Sequence, residues 1–172
     1  LGLTTIMVTH DQEEALAIAD RIFVMDRGKI MQSGTPEDIY ANSKNPFVAN
    51  FIGMTNFIEG KVLNKNVIEI DNKQLDFIGH GYTKGTKVLV AARPECIQLS
   101  KKTGKNIFNG TVVDVEFLGS FLRIYLETSF MPNQRLIIDK PMIGVFYKST
   151  AIGDVLGFTM SPTYLNVYEC EE

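Results

Sequence analysis

The 172-residue sequence has no Gly-Gly pair, no Gly-Lys followed by Ser or Thr, and no Asp-Glu dipeptide. Each absence removes a chemistry. A phosphate-cradling loop needs Gly-Lys-Ser/Thr, so that backbone N–H groups hold the phosphates while the hydroxyl holds Mg²⁺. Here every Gly-Lys, at 28–29, 60–61 and 104–105, is followed by Ile, Val or Asn. The stretch GHGYTKGTK at 79–87 has the right residue types in the wrong order, and His80 within it reads as a loop residue. Cysteine is scarce: Cys96 and Cys170 form no CxxC or metal-spaced group, which leaves no thiolate site for a metal. No apolar run approaches the ~20 residues of a bilayer-spanning helix, and the N-terminus lacks a signal-peptide layout. Positive charge is not in excess either. Residues 1–56 hold four Lys/Arg and seven Asp/Glu, and the remainder holds thirteen of each. Neither part is the basic stripe that neutralises nucleic-acid phosphates. Nucleic acid is excluded as a partner.

What remains is ample for a fold. At 45% hydrophobic and 22% charged residues, the chain can bury a core. Residues 3–8 are apolar and β-branched, as a fully buried parallel-sheet strand requires. Thr9-x-x-Gln12 fits a capping box, with Asp11, Glu13 and Glu14 in the first turn of the helix that follows, where its dipole favours them. Ala15, Leu16, Ile18 and Ala19 supply that helix with an apolar face ending near Asp20. Arg21 to Met25 and Ile30 to Ser33 read as a hairpin around Asp26-Arg27-Gly28-Lys29. Thr35-Pro36 and Asn45-Pro46 each start a helix, with a cap residue followed by Pro at the first position. The first fifty-odd residues therefore read as a piece of α/β structure.

From Asn56 onward, short β segments separated by Gly, Asn, Asp and Pro replace the helical patterns. This half repeats itself. NFIEGKV at 56–62 is echoed by NIFNGTV at 106–112, and GTKVLVAARPECIQL at 85–99 by GDVLGFTMSPTYLNV at 153–167. The order of the two blocks is the same both times, which predicts a duplicated β unit. Copies of about sixty residues or fewer fit small OB-type barrels that share strands. The expected fold is mixed: a short α/β piece over 1–52, then a mostly β, OB-like duplicated barrel over 53–172.

The segment TIMVTHDQEEALAIADRIFVMDRGKIMQSGTPEDIY resembles the end of the nucleotide-binding domain of ATP-binding-cassette (ABC) transporter ATPases. In that family a strand ends at a switch histidine followed by Asp, then a helix with Glu-Ala, then an Asp-Arg-Ile strand. The matching residues are His10, Asp11, Glu14-Ala15 and Asp20-Arg21-Ile22, followed by Gly28, Gly34, Pro36 and Ile39-Tyr40. NPFVANFIGMTNFIEGKV is similar to the linker into the C-terminal TOBE domain of ABC importers, and ARPECIQL to that domain's Arg-Pro-Glu strand. The resemblance covers essentially the whole chain.

That resemblance implies the C-terminal part of an importer's ATP-binding subunit, with the P-loop, signature and acidic strand end upstream. His10 would reach the ATP γ-phosphate and the attacking water as a positioning group or proton relay. Without the resemblance, His10 reads as a capped strand end that satisfies local backbone groups. Arg93 and Glu95 would form a regulatory or subunit-contact loop; from the residues alone they read as a strand-exit turn with a solvated ion pair. The second copy has Ser161 and Thr163 in their places. The resemblance further implies Mg-ATP in the full-length protein and no metal or cofactor held by this chain alone. Its implied partners are membrane permease subunits, a solute-binding protein and a second ATPase subunit. It places the protein in the cytoplasm, peripheral on the inner face of the membrane. FIGMTNFIEG lacks the Pro-x-Met-Asn that follows in many sugar importers, which points to an oxyanion, iron or polyamine as solute. The rival reading is a stand-alone regulatory β module that binds a small ligand or partner without ATPase activity.

Overall fold

The structure, a computed structural model, describes residues 2–79, 81–102, 104–142 and 150–170. His80 lies outside the described residues. The chain divides into two compact units, Leu1–Met54 and Thr55–Glu172.

The first unit contains α1 (Gln12–Ile18), β1 (Ile22–Asp26), β2 (Lys29–Gly34), α2 (Pro36–Ala41) and α3 (Pro46–Ile52). Arg27 and Gly28 both have positive φ, 45° and 78°, the pair of left-handed residues that a tight hairpin turn needs to follow strand twist. Thr35 caps α2 by accepting from the Asp38 N–H, and Asn45 caps α3 by accepting from the Val48 N–H. Pro36 and Pro46 follow these caps, where the missing N–H costs nothing. Ile22, Val24, Ile39, Val48 and Ile52 are buried together, joined by the half-buried Leu16 and Tyr40. The buried Gln32 amide donates to the Asn42 carbonyl at 3.0 Å and accepts from the Lys44 N–H at 2.8 Å, which ties β2 to the α2–α3 connection.

Two local expectations fail here. Residues 3–8 form no strand, and Ile6 and Val8 are 91% and 96% exposed. A strand is stable only with a neighbour for its N–H and C=O groups, and β1 pairs with β2 alone. The cap of α1 is also displaced. Asp11, not Thr9, is the N-cap, its carboxylate accepting from the Glu14 N–H at 3.0 Å. Asp11-x-x-Glu14 satisfies the same spacing rule as Thr9-x-x-Gln12, and the helix takes the later start.

The second unit carries β3 (Asn56–Asn64), β4 (Val67–Ile70), β5 (Lys73–Asp76), β6 (Lys87–Ala92), β7 (Ile97–Ser100), β8 (Ile107–Phe117), β9 (Phe121–Glu127), β10 (Leu136–Pro141), β11 (Val155–Met160) and β12 (Leu165–Glu169). They form two five-stranded sheets, ordered β12-β6-β3-β4-β5 and β10-β9-β8-β11-β7. The duplication is explicit in the registers. Ile58 faces Val90 and Gly60 faces Val88 in the first copy; Phe108 faces Phe158 and Gly110 faces Leu156 in the second. A bulge follows Val62 in β3 and Val112 in β8. Each copy is continued by one 3-10 turn, Pro94–Cys96 and Pro162–Tyr164.

The last strand of each copy crosses to the other's sheet. β12 pairs with β6 through Leu165 and Ala92, while β7 pairs with β11 through Ile97 and Met160. Neither sheet is therefore complete without a strand from the other copy. One hydrophobic core runs through both sheets, including Ile58, Ile68, Leu75, Val90, Phe108, Ile124, Leu126 and Phe158. Gly60 and Gly110 are needed for closeness rather than backbone freedom. A Cβ on Gly60 would lie 2.5 Å from Ile68 Cγ2, and one on Gly110 would lie 2.9 Å from Leu126 Cβ.

An asparagine opens each copy and reaches across to the other. Asn56 bonds both backbone groups of Ile137 on β10: its Oδ1 accepts from the N–H at 2.7 Å and its Nδ2 donates to the carbonyl at 2.8 Å. Asn106 holds Asp76 on β5, accepting from its N–H at 2.8 Å and donating to its carboxylate at 3.0 Å. Lys105 adds an ion pair to that carboxylate at 2.6 Å. The Lys105 hydrogen bond, more than the opposing burial, holds the Asp76 carboxyl below its ordinary value of 3.8. A carboxyl lowered on folding stabilises the native state above its unfolded pKa, and that contribution disappears as pH falls through the folded value. Stability should thus fall below about pH 4 more steeply in the natural chain than in Asp76→Asn. Urea midpoints measured from pH 6 to pH 2.5 should show the two proteins converging at the acid end, and added salt should shrink the gap, because Lys105 is half-exposed. Parallel curves would remove Asp76 from this role.

Candidate functional site

Two places carry the residues singled out by sequence, one in each unit. In the first, residues 3–8 lie exposed, outside any helix or strand, and lead into a bend at His10 before α1. Thr9 shapes that bend. Its hydroxyl accepts from the Asp11 N–H at 3.0 Å and donates to Glu14 Oε2 at 3.1 Å, and Asp11 in turn caps the helix. The imidazole of His10 is exposed, so either ring nitrogen can reach a phosphate oxygen or a water brought to it. No group of three or more His, Cys, Asp and Glu side chains fit to hold a metal occurs among the described residues.

The second place is the start of the β unit. Arg93 leaves β6 and is only 7% exposed, so it is not the solvated charge expected at this turn. Its Nη1 donates to Thr55 Oγ1 at 2.5 Å, one residue before Asn56. Asn56 is 3% exposed and donates to the Ala92 carbonyl at 3.2 Å as well as bracketing Ile137. The turn that follows Arg93, Pro94–Cys96, packs against β10. Arg93, Thr55, Asn56 and Ile137 thus make one node, in which a buried guanidinium and a buried amide hold the first residues of the unit. Glu95 stands on the exposed side of the same turn. Arg93 and Glu95, two residues apart, therefore differ sharply in burial.

β10 also carries a bidentate ion pair. Asp139 pairs with Arg123 on β9, whose guanidinium donates to both carboxylate oxygens at 2.8 Å, with the Arg123 side chain 16% and that of Asp139 12% exposed. Those hydrogen bonds push the Arg123 pKa further up, so its guanidinium stays charged. Burial pushes the thiols of both Cys96 and Cys170 up, which favours their protonated form. Sequence reading passed over Asn56 as a functional residue. The available signal was the asparagine at the head of both copies, a polar residue where each strand begins.

The comparisons bear on both places. The TOBE domain family model matches residues 90–162, which span Arg93, Glu95 and β7 to β11. The spermidine/putrescine import ATP-binding protein PotA of Clostridium acetobutylicum is 37% identical over 172 residues, all of this chain and 46% of that protein. The Fe(3+) ions import ATP-binding protein FbpC 2 of Rhizobium meliloti is 40% identical over 168 residues, 91% of this chain and 42% of its own length. The chain spans less than half the length of these curated relatives. Among solved structures, the cytoplasmic molybdate-binding protein ModG shares the fold with a TM-score of 0.54 at 13% identity, over 65% of this chain and 94% of its own. That likeness concerns the β fold alone. No helix among the described residues is long and apolar enough to cross a membrane.

Proposed function

We propose, from the premise that this chain carries a TOBE domain and is homologous along its length to ABC-importer ATP-binding proteins, that it serves ATP-driven solute import. In this reading His10 is the switch histidine of the nucleotide site, and the β unit regulates the subunit that carries it. The observation that carries the reading is the alignment of the whole chain, His10 segment and β unit together, with import ATP-binding proteins. Mg-ATP would sit on a P-loop that this sequence does not contain, so His10 acts on nucleotide held by other residues. It would orient the γ-phosphate and the attacking water, a contribution made mainly in the transition state. The partners proposed are membrane permease subunits, a solute-binding protein and a second ATPase subunit, with the protein on the cytoplasmic face of the membrane. Relatives named for spermidine and putrescine import support a polyamine as the solute. The test is steady-state ATP hydrolysis by a protein that joins this chain to a P-loop-bearing nucleotide-binding segment, with this chain alone as the comparison.

A further inference from the structure

The two copies of the β unit are alike in their asparagine brackets but not in what surrounds them. Asn106 holds β5 with help from Lys105, which is 49% exposed, and Ser161 stands where the first copy has Arg93. Asn56 holds β10 beside a guanidinium buried to 7% exposure, which itself holds Thr55. A buried charge is retained only where its hydrogen bonds are made, and the bond from Arg93 to Thr55 is one of these. Asn56 contributes a side chain where a neighbouring strand would contribute a peptide group, so β10 is tethered to the start of β3. The 3-10 turn after Arg93 packs on the same strand.

We infer that β10 and the first residues of the β unit are coupled through Asn56 and Arg93, so that a partner or ligand that shifts β10 is felt at Thr55. The node is thus a route by which the second copy acts on the point where the chain enters the unit. This deepens the regulatory role proposed above and rests on that reading for its purpose; its geometry stands without it. Among the described residues no buried cation stands beside the bracket on β5, which serves as the internal control.

Hydrogen exchange on the chain itself tests the coupling, without nucleotide or permease, so its failure leaves the import reading untouched. Asp139→Asn weakens the ion pair two residues from Ile137 on β10. Exchange at Asn56, Phe57 and Ile58 should then speed up about tenfold, the size of a direct pairwise coupling, while Ile68 to Ile70 stay within about twofold. In a Thr55→Val chain, which removes the hydroxyl that Arg93 holds, or in Asn56→Ala, Asp139→Asn should have much less effect on those three amides. Thr55→Val keeps the side-chain shape, so the cycle stands even if Asn56→Ala does not fold. Effects that simply multiply, no effect of Asp139→Asn at 56–58, or equal acceleration at 68–70 would each overturn the inference.

Discussion

Replacing His10 with alanine, in a protein that joins this chain to a P-loop-bearing segment, should lower kcat by about a hundredfold or more, the loss typical of a positioned catalytic group. Nucleotide affinity should move far less. The reasoning is one of differential binding: P-loop backbone groups hold the ground-state phosphates, and the histidine acts where charge and proton shift during attack. The structure gives the residue the freedom this requires. His10 is exposed, and the bend that presents it is fixed by Thr9 and Asp11 rather than by the imidazole itself. The substitution should therefore leave α1 and the hairpin intact, which circular dichroism can check on the same sample. Undiminished hydrolysis in the folded variant would return His10 to a capped chain bend with no part in turnover.

The largest loss of stability is expected from Phe158→Ala. Phe158 is fully buried in β11, stacked on Phe108 with ring centroids 6.0 Å apart and tilted against Phe130 at 6.4 Å. Its backbone neighbours are Phe108 on β8 and Leu99 on β7, so it lies where the exchanged strand enters the second sheet. Truncating such a ring removes its burial and leaves a cavity, at a cost of about 3–5 kcal/mol. For a domain whose whole stability is on the order of 5–15 kcal/mol, that is a large share. Urea titration should show the midpoint falling by a corresponding amount with the slope preserved. A loss under about 1 kcal/mol would mean that the three rings do not form a packed core.

How much of this was legible in the sequence depends on whether a signal is local. The caps at Thr35 and Asn45 and the Gly28 turn are local, and they fold as their residues dictate. The duplication was readable because Asn, Gly and Pro recur in register, and Gly60 and Gly110 recur for a reason the structure supplies: the next strand passes too close for a side chain. That the copies share strands was expected, but which strands cross was not readable. Leu165 and Val167 alternate with polar residues in the same way whichever sheet they join, so pattern gives burial but not partner. Residues 3–8 show the converse. Their composition describes a buried strand, but burial needs a neighbouring strand, and composition is silent on whether one is there. Thr9 and Asp11 are both good caps at the right distance from a suitable third residue, and only the helix itself chooses between them. Arg93 stands out with Glu95 because ARPECIQL resembles the Arg-Pro-Glu strand of TOBE domains. That its guanidinium turns inward to Thr55, leaving Glu95 outside, depends on residues 38 positions away.

The claim that ties these parts together is that His10 and the β unit belong to one ATP-hydrolysing import subunit. Steady-state hydrolysis of Mg-ATP tests it most directly, measured on this chain alone and on the protein that joins it to a P-loop-bearing segment. The account predicts no turnover from the chain alone and Mg²⁺-dependent turnover from the joined protein, within the ordinary range of about 1–10³ per second or below it until permease is added. A joined protein that is folded and binds nucleotide yet shows no hydrolysis with permease present would contradict it.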